Sequence, residues 1–247
     1  MEARIIAKGS FLPQNIEIVL SPKSKRQTTG DIEEIIAEAW LEIETKAKNE
    51  NQMLWNGEGL RLDNLKQEND KLILYTSPSD FKTHTCLGRN INKIEKLGMA
   101  YFSAGLIIGG FVETSDNYFI FIDRSTKSIS RSRIDFIGGI MDKVNAGNGL
   151  DLLSHSYQEI EEEINITQSQ IESNTILGLV LCNSGNVIIV TSTKLKIKYE
   201  EVMEYFSHKH DEEVQDLVKV EKENLANFVS NLGSYRPAAL QLLDLTV

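Results

Sequence analysis

Residues 134–166 constrain the fold more than any other stretch of the chain. A β-like run at Ile134–Ile137 is followed by the pair Gly138–Gly139, a loop, and a segment with four glutamates in five positions, 159–163. Apolar residues recur beside the glutamates at helical spacing, at Leu153, Tyr157, Ile160 and Ile164. The stretch therefore predicts a strand, a close glycine turn and an amphipathic helix with an acidic face.

Three of the glutamates share one face of this helix. Residues three and four apart are neighbours, so Glu159, Glu162 and Glu163 point the same way, whereas Glu161 points elsewhere. Like charges on one face repel, and a divalent cation would reverse that effect because Mg²⁺ prefers carboxylate oxygens. The alternative is a solvated acidic face. The adjacent apolar stripe and the glycine pair, which permits close backbone approach, favour a metal-binding face.

This order of features resembles the Nudix box of nucleoside diphosphate-X hydrolases. The box reads strand, Gly-Gly, loop, then Arg-Glu-apolar-x-Glu-Glu-x-Gly-apolar. Glu159 stands at its first glutamate, and Glu162 and Glu163 stand at its acidic pair. Gln158 replaces the arginine and Asn165 the glycine.

Two further positions depart from the Nudix pattern. Ile137 stands where the family usually has proline before the glycine pair. The early glutamate of the box has no clear match, and Asp142 and Asp151 are the candidates for it.

The whole chain also resembles one Nudix branch, the atypical UDP-sugar diphosphatases that act on UDP-glucose and UDP-galactose. The helix of that branch reads Gln-Glu-Ile-x-x-Glu-x-Asn-apolar, so Gln158 and Asn165 match it. Shorter similarities are Leu60–Leu62, Thr76–Ser77, Asp80–Phe81 and Arg124–Ser125. The branch carries an N-terminal extension of about the size found here.

The resemblance implies a fold and an activity. The expected fold is a Nudix α/β/α sandwich with a mixed sheet over residues 99–247, preceded by a small α+β extension over residues 1–98. The expected reaction is Mg²⁺-dependent hydrolysis of a UDP-sugar to UMP and a sugar 1-phosphate, with Mn²⁺ as an alternative metal. The metal ligands would be Glu159, Glu162 and Glu163.

Other residues are candidates for parts of this chemistry. Arg124 and Arg133 flank the strands that lead to Gly138 and Gly139, and could offset phosphate charge. Glu213 or Glu212 could supply a further ligand or the base that takes a proton from water, although a solvated loop is an equal alternative. His155 lies one turn before the first glutamate. The aromatic candidates for a base contact are Trp55, Tyr75 and Phe81.

Periodicity predicts the remaining elements. Strands are expected at 16–20, 60–62, 72–75, 104–112, 118–122, 134–137, 175–181, 187–193 and 217–220. Helices are expected from a cap at Asp31, and over 152–164, 199–208 and 222–232. Residues 63–71 are expected to form a polar turn. Strands interleaved with helices indicate a mixed sheet between helical layers.

Charge and cysteine content limit the expected binding partners and the expected cellular compartment. The formal net charge of −10 argues against non-specific binding to nucleic acid or anionic membranes. Cys86 and Cys182 are too few for a disulfide scaffold, which favours a reducing, cytoplasmic compartment. The first ten residues lack the apolar core of a signal peptide, and the longest apolar run is too short to span a membrane. The sequence does not reveal the oligomeric state.

Two alternatives remain open at this point. The substrate could instead be ADP-ribose, another nucleotide sugar or a nucleoside triphosphate, because specificity lies in loops and in the extension. The chain could also be a non-catalytic Nudix-fold module that binds a nucleotide or a protein. Gln158 motivates that second alternative, because loss of the arginine removes a group that orients the first glutamate.

Overall fold

The computed structural model describes residues 1–21, 23–129, 133–142, 147–209 and 213–243. Within them, strands β1 to β12 lie in chain order at Arg4–Phe11, Ile16–Leu20, Glu58–Glu68, Lys71–Asp80, Leu106–Glu113, Tyr118–Arg124, Ile134–Asp135, Ile137–Ile140, Gly147–Asn148, Ile171–Leu181, Val187–Leu195 and Val214–Glu221. Helices α1 to α7 lie at Gly30–Asn49, Phe81–Arg89, Ile91–Ile94, Leu150–Ile164, Tyr199–Ser207, Leu225–Leu232 and Arg236–Leu240. Short 3₁₀ turns connect several of these elements.

The larger sheet has eight strands. Its main order is β1-β10-β11-β5-β6-β12, with β7 paired to β6 and β8 paired to β5. Strands β11 and β5 run parallel, whereas the other pairs within this sheet are antiparallel. The mixed α/β class expected from the sequence is therefore confirmed.

Helices cover both faces of the larger sheet. Leu152 and Leu153 of α4 pack into one apolar cluster on the first face. Ile160 and Ile164, from the next turns of the same helix, pack into a second cluster on that face together with α5. On the other face, α6 and α7 pack over the phenylalanines of β5 and β6. The apolar stripe of α4 is the reason that it lies flat on the sheet.

The smaller sheet comes mainly from the first eighty residues. Its strand order is β3-β4-β2-β9, with β2 and β4 parallel. Helices α1 and α2 pack together through a separate apolar cluster that includes Ile36, Trp40 and Leu87. The predicted boundary between residues 98 and 99 stays a prediction. The strand pairing adds one fact to it, because β1 of the first segment pairs with β10 of the larger sheet.

Three local predictions need correction. The turn predicted over residues 63–71 is confined to Asn69 and Asp70, because β3 and β4 continue as a long antiparallel pair until Glu68 faces Lys71. The cap of α1 is Thr29 rather than Asp31, since the Thr29 hydroxyl accepts the Ile32 amide. The strand β1 was not expected from the sequence. Its side chains alternate irregularly between buried and exposed, and its pairing with β10 has two register shifts, so the period of two is weak.

The other predicted strands and helices are found close to their expected places. The short elements α3, α7 and β9 were not expected from the sequence. Among the described residues, no helix is both long and apolar enough to cross a membrane. Cys86 and Cys182 are free, buried thiols, and burial raises their pKa values to about 11 and about 12.

Candidate functional site

The site forms where α4 crosses the glycine pair of β8. Strand β8 runs antiparallel to β5, with Gly138 opposite Gly109 and Gly139 opposite Ile108. Gly138 has a φ of +150°, and a Cβ there would overlap the backbone of β5. A glycine is thus required for the two strands to approach so closely. The close approach seen here is between two strands of the protein, and the predicted approach of the glycine pair to a substrate stays a prediction.

Glu163 is the most deeply placed carboxylate of the helix. The residue is 5% exposed, and the Gly138 amide donates a 2.8 Å hydrogen bond to its Oε2. Arg124 Nη1 lies 3.2 Å from its other oxygen. Burial raises the pKa of Glu163 to about 8, although Arg124 and the Gly138 amide act in the opposite direction. Glu163 is therefore held in a fixed orientation from two sides.

Arg124 joins Glu163 to the late acidic loop. Its Nη1 also lies 3.7 Å from Glu213 Oε2, and the Glu213 side chain is half-exposed. Burial alone would lower the pKa of Arg124, but Glu163, Asp135 and Glu213 outweigh that effect and raise it. The guanidinium therefore remains charged between a buried carboxylate and one that reaches solvent.

Glu159 lies one turn before Glu163, directly over Gly139. A Cβ at Gly139 would overlap both oxygens of Glu159, so only glycine leaves room for the carboxylate here. His155 Nε2 is 3.3 Å from Glu159 Oε1 and 3.3 Å from the Ile140 carbonyl oxygen. Burial lowers the pKa of His155, but Glu159 more than offsets this and the pKa is raised. The negative charge of Glu159 also contributes to the raised pKa of Glu163.

Glu162 takes a different direction from the other two. It is exposed, and Gln158 Nε2 donates a 2.8 Å hydrogen bond to its Oε1. Gln158 thus orients Glu162, and not Glu159, in this structure. Among the described residues, no group of three or more His, Cys, Asp or Glu side chains is arranged to hold a metal ion. The predicted set of three metal ligands therefore stays a prediction.

The donor chemistry of this site nevertheless fits a hard divalent cation. Glu159 and Glu163 bring four carboxylate oxygens to one strand, and their charges disfavour each other. Oxygen donors of this kind suit Mg²⁺ or Mn²⁺, and a cation would remove the repulsion between them. Glu162 lies on the adjacent position of the same helix.

Arg133 is placed at the margin of the site. Its side chain is 73% exposed, and it forms a two-point ion pair with Asp123 at 2.8 and 3.0 Å. Its carbonyl accepts the Arg124 amide at 2.8 Å. Its predicted contact with a substrate stays a prediction, and its backbone supports Arg124 directly.

The remaining sequence candidates lie elsewhere or cannot be placed. Glu212 and the side chain of Asp151 lie outside the described residues, and Asp142 is exposed. Trp55 is 78% exposed and lines an open groove of about 390 Å³ beside Trp40 and Gln52. Phe81 packs edge-on against Trp40, which agrees with its default role in the core.

Sequence reasoning missed a buried polar cluster behind Arg124. Asp135 Oδ1 accepts hydrogen bonds from the Tyr235 hydroxyl at 2.9 Å and from Arg236 Nε at 3.2 Å. Arg236 Nη2 lies 2.8 Å from the same oxygen. The partners are about a hundred residues apart, so no local motif could have joined them. An arginine in an otherwise apolar C-terminal segment was the available signal.

Comparisons with known proteins give partial overlaps. No family model matches the sequence, and no curated protein matches it at a significant level. Tm1382, a protein named as a candidate Nudix hydrolase, is 12% identical, with a TM-score of 0.41 over 75% of this chain and 98% of that one.

Two further solved structures overlap with this chain. The MutT protein from Methanosarcina mazei Go1 is 16% identical, with a TM-score of 0.34 over 56% of this chain and 91% of that one. DR0079 from Deinococcus radiodurans is 13% identical, with a TM-score of 0.38 over 51% and 73%. The identities and scores are low, so the function rests on contacts within this chain.

Proposed function

We propose that this chain is a Nudix-type hydrolase that cleaves the diphosphate of a UDP-sugar, giving UMP and a sugar 1-phosphate. One observation carries the proposal. Glu163 is fixed between the Gly138 amide and the Arg124 guanidinium, and Glu159 lies beside it over Gly139. A carboxylate pair held against a glycine strand is what the Nudix resemblance requires of these positions.

The charge distribution supports an anionic substrate at this point. A chain of net charge −10 repels a diphosphate unless positive charge is concentrated locally. Arg124 supplies such a charge, because its guanidinium stays ionised between Glu163 and the half-exposed Glu213. A guanidinium presents donors that match phosphate oxygens. Arg133, at the margin, adds a weaker positive field.

The proposed reaction is attack of water on one phosphorus of the diphosphate. A bond forms between the water oxygen and that phosphorus, and the bridging bond to the other phosphate breaks. The water proton passes to a carboxylate, for which Glu213 is suited by position, because it is half-exposed and lies beside the arginine that orients the phosphate. Arg124 orients the phosphate, while Gly138 keeps Glu163 in place.

A divalent metal completes the proposal. When bound, Mg²⁺ would supply positive charge that neutralises the phosphate oxygens. Glu159 and Glu163 would hold it, with Glu162 as the third ligand after release from Gln158. Mn²⁺ is the alternative metal, since it accepts the same oxygen donors.

The test uses the purified full chain with UDP-glucose and Mg²⁺, with UMP and glucose 1-phosphate separated by chromatography. The wild-type protein should release both products. Glu163→Gln should lower kcat/KM by about a thousandfold, because it removes a charge required in the transition state. Glu161→Gln is the matched control, since Glu161 is an exposed glutamate on the same helix. Turnover in Glu163→Gln equal to that of the control would refute the assignment.

Metal dependence is tested separately. Treatment with a chelator should abolish product release, and Mg²⁺ or Mn²⁺ should restore it. Calorimetric titration of Mg²⁺ into wild type and into the double variant Glu159→Gln/Glu163→Gln measures binding without turnover. Equal Mg²⁺ affinity in both proteins would remove these residues from the metal site.

The nucleotide and the sugar are decided by a substrate panel. UDP-glucose, UDP-galactose, ADP-ribose and a nucleoside triphosphate are compared by kcat/KM under one set of conditions. We expect the UDP-sugars to exceed the others by at least about tenfold. A higher value for ADP-ribose would keep the hydrolase and replace its substrate.

A non-catalytic binding module is the second candidate function. The Gln158–Glu162 hydrogen bond favours it, because that bond turns one predicted metal ligand toward solvent. In this case UDP would bind in calorimetry, yet no member of the panel would be hydrolysed with Mg²⁺. Gln158→Arg would then be expected to create turnover by returning the family's arginine.

A further inference from the structure

Two side chains from the first ninety residues donate hydrogen bonds to a turn next to the candidate site. Strand β6 ends at Arg124, and Ser125–Ser128 form a turn closed by the Ser128 amide and the Ser125 carbonyl, 3.2 Å apart. The Ser125 amide donates a 2.7 Å hydrogen bond to the carbonyl of Glu213. This turn is therefore bonded directly to the two residues that define the open side of the site.

One amide from the extension spans that turn. Gln52 Nε2 donates hydrogen bonds to the carbonyl oxygens of Thr126 at 2.8 Å and Ser128 at 3.2 Å. The backbone amide of Gln52 is itself bonded to Ala47 at the end of α1, at 2.8 Å. Gln52 is half-buried, so the conformational freedom of its side chain is limited.

A second donor comes from α2. Arg89, in the last turn of that helix, donates from Nη2 to the Ile129 carbonyl at 3.1 Å. Helices α1 and α2 are packed together through the buried side chains of Ile36, Trp40 and Leu87. Both donors therefore come from segments that are packed together, and movement of the turn away from them would break three hydrogen bonds.

We propose that Gln52 and Arg89 are positioning residues, which hold the 125–129 turn and thereby set the placement of Arg124 for the substrate phosphate. The positioning role rests on the function proposed above. It adds a way in which the N-terminal segment affects the site, through hydrogen bonds to the turn after Arg124. Misplacement of a charged group by a fraction of an ångström weakens phosphate binding, so the effect should fall on KM rather than on kcat.

The main variant is Gln52→Glu, which keeps the side-chain shape but replaces the donor with a carboxylate that repels both carbonyls. Gln67→Ala is the matched control, because Gln67 also donates to two backbone carbonyls, those of Lys8 and Asn69, far from the turn. For the second donor, Arg89→Ala is compared with Arg89→Lys, which retains a charged donor.

Hydrogen exchange and steady-state kinetics are measured on the same proteins. In Gln52→Glu we expect exchange across 125–129 to accelerate by about tenfold. KM for UDP-glucose should rise about fivefold while kcat stays within about twofold. Gln67→Ala should match wild type in both measurements, and Arg89→Lys should recover most of the loss seen in Arg89→Ala. Thermal unfolding of each variant verifies that the global fold is retained.

Two results would overturn the proposal. One is unchanged exchange across 125–129 in Gln52→Glu. The other is faster exchange with KM unchanged. A wild-type chain that hydrolyses nothing would instead remove the function proposed above. In that event the affinity for UDP, measured by calorimetry in the presence of Mg²⁺, replaces KM, and an unchanged affinity in Gln52→Glu would contradict the positioning role.

Discussion

Two buried carboxylate–arginine pairs lie near each other in the larger sheet, and they differ in how completely their partners enclose them. Arg236 Nη2 is 2.8 Å from Asp135, and Arg124 Nη1 is 3.2 Å from Glu163. In both pairs the arginine side chain is largely buried, with 3% exposure for Arg236 and 13% for Arg124.

The Asp135 pair is closed. Besides Arg236, its Oδ1 accepts the Tyr235 hydroxyl and the backbone amide of Phe136. Burial raises the pKa of Tyr235 well above its ordinary range, so its hydroxyl remains a donor. These bonds converge on one carboxylate oxygen and fix one arrangement of the chain, here the position of α7 against β7.

The Glu163 pair is open on one side. The second partner of Arg124 is Glu213, whose side chain is half-exposed. The negative charge of Glu159, one turn earlier on α4, helps to raise the pKa of Glu163. The pKa of Glu163 is raised to about 8, which is common where a carboxylate serves chemistry rather than stability. The comparison teaches that the continuation of a buried pair to a partner that reaches solvent, more than burial itself, distinguishes a site from a scaffold.

The largest expected effect tests the closed pair. Arg236→Ala should lower the free energy of unfolding by about 3–5 kcal/mol, because it leaves Asp135 buried without its cation. Urea unfolding at pH 7, followed by fluorescence, measures this. Arg4→Ala, in an exposed position on β1, is the control and should leave the unfolding curve in place. A loss no larger than that of the control would mean that the closed pair does not stabilise the fold.

A buried group without a partner sharpens the comparison further. His84 is 1% exposed, and neither ring nitrogen has a hydrogen-bond partner among the described residues. Burial lowers the pKa of His84 from 6.5 to about 4, with Asp80 raising it slightly and Arg61 lowering it. Because the unfolded chain binds this proton more readily, stability is complete above pH 6.5 and decreases as the pH falls toward 4. The loss should approach ~3 kcal/mol.

Replacement of the His84 imidazole tests whether this residue causes the loss of stability at low pH. In His84→Phe, this part of the loss between pH 6.5 and 4 should disappear from urea unfolding curves measured at several pH values. His208→Phe, at an exposed histidine, should keep the decline of the wild type. An unchanged decline in His84→Phe would show that another group causes the acid sensitivity.

The open pair should respond in activity more than in stability. Arg124→Ala should lower kcat/KM for UDP-glucose by about a hundredfold, since it removes the charge that orients phosphate. Its cost in unfolding free energy should be about 1–2 kcal/mol, less than for Arg236→Ala. The reason is that the pKa of Glu163 is already raised to about 8 with Arg124 in place and rises further without it, so the carboxyl takes up a proton at pH 7 and leaves no unpaired buried charge. A stability loss as large as that of Arg236→Ala would erase the distinction between the pairs.

The smallest effect is expected at the exposed pair of Arg133 and Asp123. Arg133→Ala should lower kcat/KM by about two- to fivefold, because a screened surface charge attracts substrate weakly. Thermal unfolding should match wild type within error. The same assay at high salt should remove the difference, and a larger loss that persists in salt would place Arg133 in direct contact with substrate.

Most of the elements could be predicted from the sequence. The apolar spacing of Ile160 and Ile164 identified α4, and alternation identified the hairpin β5–β6 and the pair β10–β11. The errors lie where the local signal is weak. β3 continues to Glu68 and β4 begins at Lys71 because cross-strand pairing outweighs a polar composition. Asn165 can end α4 because asparagine tolerates the left-handed conformation there, at a φ of 58°.

The sequence by itself determined which carboxylates could matter, since helical spacing places Glu159, Glu162 and Glu163 within one turn of each other. It also identified the glycine pair as a place where the backbone can approach a ligand closely or turn sharply. The tertiary structure alone decided that Glu163 is buried against Gly138 and Arg124 while Glu162 faces solvent with Gln158. It likewise joined Asp135 to Arg236, and Gln52 to the turn after Arg124. These contacts depend on packing between distant segments, which no local period encodes.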